Sequence, residues 1–390
     1  MVPAAEVPSV PVLLEEAAAR AGVDVDDWGG LGFLPALELL VESCRATARL
    51  NATGAEVLTK VVLRHLRNLL AVRAVVQADP DVADRTLGTP VVVTGLPRTG
   101  TTLVQNLLAL DPAHRVLRVW EALRPVPVTP GTPSAEVRIG QAEAWLTKLY
   151  ELAPGFKAIH GLSARGPEEC DALLQNTFAS QHFDDMFDAR GYSAWLNSAD
   201  LSEAYAFYRL QLQVLAGTGS AERTWVLKSP SHLGHLDALL DVLPGATVVH
   251  CHRHPFEAVP SYASLITTIR RPYSDAVDPA VCGRQALERT ALAMDRALAV
   301  RDSGAQGTFV DVSYPALARD PVEVLHGLYQ RLGRSLGADV EAAVADWLAE
   351  HPRHHQGVHR YRGAGFGLEP AQVTTAFSGY VDRFGALVES

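Results

Sequence analysis

The stretch Val91–Val92–Val93–Thr94–Gly95–Leu96–Pro97–Arg98–Thr99–Gly100–Thr101–Thr102–Leu103–Val104 constrains the fold of this chain more than any other. A β-branched run favours a buried strand. The Gly/Pro turn that follows breaks it, and the apolar continuation opens a helix. The first N–H groups of a helix have no intrahelical acceptor, and together with the helix dipole they attract an anion. The stretch therefore predicts a strand, a phosphate-cradling loop and a helix N-terminus. Gly95 and Gly100 keep the spacing of the two glycines in G-x-x-x-x-G-K-[ST], but Thr101 and Thr102 follow, so the lysine of that motif is missing. In a nucleoside triphosphatase that lysine reaches the β- and γ-phosphates. Here the nearby cation is Arg98, inside the loop. Such a loop suits a phosphate or phosphosulfate better than a triphosphate.

Pro97–Arg98–Thr99–Gly100–Thr101–Thr102 resembles the phosphosulfate-binding loop of sulfotransferases that use 3′-phosphoadenosine 5′-phosphosulfate (PAPS). Cytosolic members of that superfamily carry lysine at the Arg98 position, and tyrosylprotein sulfotransferases carry arginine. Two later motifs extend the resemblance. In Trp225–Val226–Leu227–Lys228–Ser229–Pro230–Ser231–His232, a short strand ends at a lysine and Ser-Pro opens a helix. This is similar to the Lys-Asp-Pro of tyrosylprotein sulfotransferases, and the resemblance places Lys228 at the sulfonyl group and bridging oxygen. In Ala246–Thr247–Val248–Val249–His250–Cys251–His252–Arg253–His254–Pro255, a buried-type strand ends at Arg253, with Ser261 eight residues later. The family's 3′-phosphate motif has this arginine–serine spacing: the arginine supplies charge and forked donors, the serine a hydroxyl. A late stretch, His359–Arg360–Tyr361–Arg362–Gly363–Ala364–Gly365–Phe366–Gly367, loosely resembles the segment that closes over the 3′-phosphate and adenine. Either Arg360 or Arg362, with Gly363, would serve there.

The general base stays open at this level. Glu121 ends Val116–Leu117–Arg118–Val119–Trp120–Glu121, read as a short strand, and resembles the catalytic glutamate of the tyrosylprotein branch despite a spacing that differs by a few residues. His232, His160 and Glu169 are the alternatives. Glu168 and Glu169 also read as ordinary acids at a helix start after Pro167, in a helix expected to continue through Leu173, Leu174, Phe178 and Phe183.

Composition limits the partners. The chain has 390 residues, 48% hydrophobic and 20% charged, with a net charge of −10, which argues against a nucleic-acid or anionic-membrane binder. Cations for an anionic donor must therefore be local. Cys44, Cys170, Cys251 and Cys282 lie far apart, suggesting neither a disulfide framework nor a zinc site, and their usage predicts a reducing cytoplasm. Met1–Glu6 lacks a basic segment leading into an apolar one, so no signal peptide is expected, and no apolar run reaches membrane-spanning length. His250, His252 and His254 alternate on one strand, and His351, His354, His355 and His359 form a second tract. No carboxylate or Cys cluster accompanies the strand histidines in sequence, and no metal is expected.

Apolar residues from about Val12 to Ala78 recur at helical spacing. Residues 1–88 are read as a helical extension covering one side of the core, and 89–390 as a P-loop-like α/β domain. Strands at Val91–Thr94, Trp225–Leu227, Thr247–His252 and Thr308–Val312 alternate with helices, which predicts a parallel sheet flanked on both faces. Ligands bind beyond the carboxyl ends of such strands, where all three motifs lie. The implied reaction is sulfonyl transfer from PAPS to an acceptor hydroxyl of a small molecule, lipid or natural product. A P-loop kinase and a non-catalytic nucleotide-binding protein are the competing readings.

Overall fold

A computed structural model describes residues 7–23, 28, 30, 32–127, 132–159, 161–217, 223–304, 309–352 and 363–389. Five parallel strands form one sheet: β1 (Val91–Gly95), β2 (His114–Val116), β3 (Thr224–Lys228), β4 (Thr247–His252) and β5 (Phe309–Ser313), in the order β2-β3-β1-β4-β5. Four of these are the expected ones. The fifth, β2, is a three-residue edge strand whose His-Arg-Val sequence carries no β-branched run. It exists because it pairs with Thr224–Val226.

Side chains alternate across the sheet as a strand requires. Val92, Trp225, Leu227 and Val248 join one apolar cluster, together with Leu58 and Leu66 of the Ala52–Ala78 helix and Tyr205 and Tyr208 of the Ser202–Ala216 helix. Val91, Val93, Val226, Val249, Val310 and Val312 join a second, packed against the Thr101–Leu108 and Pro321–Arg331 helices. Helices thus cover both faces. The N-terminal part consists of the helices Val10–Ala21, Leu34–Thr47 and Ala52–Ala78.

Two local readings need correction. Val119–Ala122 is a short helix rather than the end of a strand. The Glu121 side chain accepts from the Arg118 N–H at 3.0 Å, capping that helix. The helix expected from Glu168 is broken. Helical turns run over Asp171–Leu174 and Gln175–Thr177, Phe178 takes φ +57°, and a new helix spans Gln181–Phe187. Glu168–Cys170 instead runs beside the strand ends, with the Glu168 N–H donating to Leu117 O at 2.8 Å and the Cys170 N–H to Lys228 O at 2.8 Å. Backbone pairing to distant strands outweighs the local helix-start signal.

The loop after β1 requires its glycines. Gly95 has φ +153°, and a Cβ there would lie 2.4 Å from Cys251 O. Gly100 has φ +89°, and a Cβ would meet the Tyr314 ring at 2.9 Å and Leu317 at 3.0 Å. Gly100→Ala is expected to cost about 1–3 kcal/mol through backbone strain and to lower the melting temperature. An unchanged melting curve would show that the loop tolerates a side chain there.

Candidate active site

The strand–loop–helix unit presents the N-terminus of the Thr101–Leu108 helix at the carboxyl edge of the sheet, between the ends of β3 and β4. Thr99 Oγ1 donates to Leu96 O at 2.7 Å and tightens the turn. Arg98 adopts φ +74°, an uncommon conformation for a residue with a side chain. Its Nε donates to Ser261 Oγ at 3.2 Å. Arg253, at the end of β4, donates from Nη1 to Arg98 O at 2.9 Å and from Nε to Glu257 at 2.8 Å, and its guanidinium lies 4.3 Å over the Tyr314 ring. The expected anion-binding groups Arg98, Arg253 and Ser261 are therefore bonded to one another across more than 150 residues of sequence.

Lys228 ends β3 and is almost fully buried, with 1% of its side chain exposed. Its Nζ donates to Thr102 Oγ1 at 3.3 Å and forms an ion pair with Glu169. The turn that follows is anchored: Thr94 Oγ1 donates to Ser229 O at 2.8 Å, and Ser229 Oγ donates to Asp171. Burial pushes the Asp171 carboxyl up to about 6 and the adjacent Glu168 carboxyl up to about 7.

A cavity of about 810 Å³ opens on this cluster. Arg98, Gly100, Thr101, Thr102, Glu169 and Arg253 belong to its wall, whereas Lys228 and Ser261 sit just behind it, each bonded to a wall residue. Away from the loop the wall carries apolar side chains, among them Val61, Leu149, Phe156, Leu265 and Ile269, interspersed with polar ones such as Arg64 and His182. Val61 comes from the N-terminal helices, so that part of the chain lines the cavity as well as covering the core.

The proposed bases fall into different places. Glu121 does not line the cavity: its carboxylate is held by both Arg115 guanidinium nitrogens, at 2.9 and 2.5 Å, and only 10% of its side chain is exposed. His232 is buried behind Tyr205, whose hydroxyl lies 2.9 Å from Nδ1, and burial drives the imidazole down to about 3. Among the carboxylates and histidines weighed from sequence, Glu169 reaches the cavity next to Lys228, with a quarter of its side chain exposed. Its only sequence signal was the Gly-Pro-Glu-Glu turn, which also reads as helix-start chemistry. His160, Arg360 and Arg362 lie outside the described residues. Gly363 sits against Pro260, the neighbour of Ser261 in its helix.

His250 and His252 share a face, with ring centroids 4.0 Å apart, while His254 leaves the strand to cap the next helix. Together with Asp311 they place ligand-type atoms within 4.8 Å of one another. Both Asp311 oxygens accept from Arg301, at 2.7 and 2.9 Å, and one also meets His252 Nε2 at 2.8 Å. The guanidinium thus occupies the charge that a cation would need, and the cluster holds β4 to β5 as a buried ion pair.

Residues 90–337 match the family described as "Sulfotransferase family". The omega-hydroxy-beta-dihydromenaquinone-9 sulfotransferase Stf3 of Mycobacterium bovis is 25% identical over 284 residues, 67% of each chain. The solved structure of sulfotransferase STF1 from Mycobacterium tuberculosis H37Rv superposes with a TM-score of 0.83 at 29% identity, covering 96% of this chain and all of that one. Sulfotransferase STF9 from Mycobacterium avium gives 0.82 at 29% identity, with 96% of each chain covered.

Proposed function

Because the chain belongs to the sulfotransferase family and is a sulfonyl-transferring enzyme, we propose that its donor is PAPS and its acceptor a hydroxyl on a small, lipid-like molecule. The observation that carries this reading is the convergence of Arg98, Lys228, Arg253 and Ser261 around one helix N-terminus, at the ends of three adjacent strands. On a chain of net charge −10, this local concentration of cations suits a donor with both a phosphosulfate and a 3′-phosphate.

Each residue then has a defined part. The loop amides, Arg98 and Thr102 hold the phosphosulfate. Arg253 and Ser261 hold the 3′-phosphate, and the Arg98–Ser261 bond couples the two anion sites. The Glu169 carboxylate takes the proton of the acceptor hydroxyl. The acceptor oxygen forms its bond to sulfur as the bond from sulfur to the bridging phosphate oxygen breaks, releasing adenosine 3′,5′-bisphosphate. Lys228 exchanges its Glu169 partner for the sulfonyl and bridging oxygens, stabilising the charge that develops there. In that exchange the Lys228 ammonium leaves the Glu169 carboxylate.

The apolar side chains of the cavity wall support a lipid-like acceptor, as does the relative Stf3, whose name specifies an omega-hydroxy-beta-dihydromenaquinone-9. Among the described residues no helix is long and apolar enough to cross a membrane. Four buried, unpaired cysteines fit a reducing cytoplasm.

The test is calorimetric titration with adenosine 3′,5′-bisphosphate beside 5′-AMP and magnesium-free ATP. A strong preference for the bisphosphate is expected. Arg253→Ala should weaken its binding by about 2–5 kcal/mol, the cost of removing one partner from a buried charge pair. Equal affinity for all three nucleotides, or an unaffected Arg253→Ala variant, would overturn the donor assignment.

A further inference from the structure

The acceptor half of the cavity contains a cation that the donor chemistry does not use. Arg64, on the Ala52–Ala78 helix, lies in the cavity wall 5.8 Å from the Trp145 ring centre. No carboxylate among the described residues pairs with it, and its buried Nε has no hydrogen-bond partner. Its hydrogen bond goes instead to a histidine ring: Nη2 meets His65 Nε2 at 3.2 Å.

That histidine is held by a chain of buried amides. His65 Nδ1 lies 2.7 Å from Asn176 Oδ1, which also accepts from Asn68 Nδ2 at 3.2 Å. Asn176 Nδ2 donates to Gln211 Oε1 at 2.7 Å, and Gln211 Nε2 donates to Leu173 O at 3.0 Å. A carbonyl oxygen facing Nδ1 requires Nδ1 to carry the proton, so Nε2 presents a lone pair. Burial keeps the ring neutral by driving its pKa well down. The whole relay therefore terminates in one acceptor, and that acceptor faces Arg64. A buried polar network is costly unless fully satisfied. This one is satisfied at every step except the guanidinium at its end, which looks into the cavity. Burial lowers the Arg64 guanidinium to about 10, which still leaves it cationic at neutral pH.

We propose that Arg64 is an acceptor-recognition residue that pairs with an anionic oxygen, a carboxylate, on a hydroxyl-bearing amphiphile, and that His65 is its positioning residue. This rests on the reading of the apolar half of the cavity as the acceptor site. Arg64, Glu168 and Glu169 line the same cavity, so the anion site and the Glu168–Glu169 corner belong to one chamber. The substrate class is a hydroxy acid: apolar body along Val61, Leu149 and Phe156, carboxylate at Arg64, hydroxyl towards Glu169.

The test is equilibrium calorimetry on the full chain saturated with adenosine 3′,5′-bisphosphate, titrating 12-hydroxydodecanoate against dodecane-1,12-diol. The hydroxy acid is expected to bind about 10- to 100-fold more tightly, the range of a charge-assisted hydrogen bond. Arg64→Gln should abolish that preference while leaving diol affinity within threefold, and Arg64→Lys, which keeps the charge, should retain part of it. His65→Gln should reduce the acid-to-diol ratio without changing diol affinity, which a purely structural role would not do. Equal binding of acid and diol, binding of neither, or a preference that survives in Arg64→Gln overturns the assignment. Bisphosphate binding, measured first in the same cell, decides the donor reading separately.

Discussion

Glu169→Gln is expected to lower kcat by about 10²- to 10⁴-fold, the contribution typical of a positioned general base. The substitution preserves shape and removes the carboxylate that accepts the proton. Bisphosphate affinity should stay within about threefold, because the anion sites at Arg98 and Arg253 do not depend on Glu169. Single-turnover transfer from labelled donor, with calorimetry in parallel, separates the two effects. Glu121→Gln is the control. Its carboxylate belongs to Arg115 and to the cap of a short helix, so it should cost stability and leave turnover within a few-fold. If Glu121→Gln abolished turnover and Glu169→Gln did not, the assignment of the base would be reversed.

Lys228→Met is expected to reduce kcat by about 10²- to 10³-fold, the loss seen when one preorganised charge-stabilising donor is removed. Methionine keeps the unbranched stem in the buried slot at the end of β3. Bisphosphate binding should change less than kcat, since the product keeps the bridging oxygen but lacks the sulfonyl oxygens on which the transition-state charge develops. Equal losses in bisphosphate affinity and turnover would place Lys228 on the nucleotide rather than on the transferring group. A loss in kcat below tenfold would remove it from the chemistry altogether.

The phosphate loop, the lysine ending β3 and the arginine ending β4 were legible because each signal is local. A β-branched run, a Gly/Pro turn and a cation fall within about fifteen residues, and strand-then-helix chemistry makes each reading nearly self-sufficient. The broken segment around Glu168–Phe183 was misread for the converse reason. Pro-Glu-Glu is good helix-start chemistry, but two backbone hydrogen bonds, to Leu117 and Lys228, draw the segment into an extended path. The edge strand β2 lies at His114–Val116, ending where the expected strand Val116–Glu121 begins, because its position is set by pairing with Thr224–Val226 rather than by its own three residues.

The choice of base shows the same division. Glu121 matches the family pattern by order along the chain, yet Arg115, six residues earlier, takes its carboxylate. Glu169 gains its place from Lys228, 59 residues later. By itself, the sequence determined the parallel α/β class, the anion-binding loop and the cations at the strand ends, because short-range spacing suffices to specify strand, turn and helix N-terminus. Only the tertiary structure decided that Glu169 rather than Glu121 faces the cavity, that Arg64 looks into it with no acid paired to it among the described residues, and that the N-terminal helices form part of its wall. Those properties depend on which distant side chains neutralise or desolvate a group, and charge pairing and burial across the fold leave no trace in local spacing.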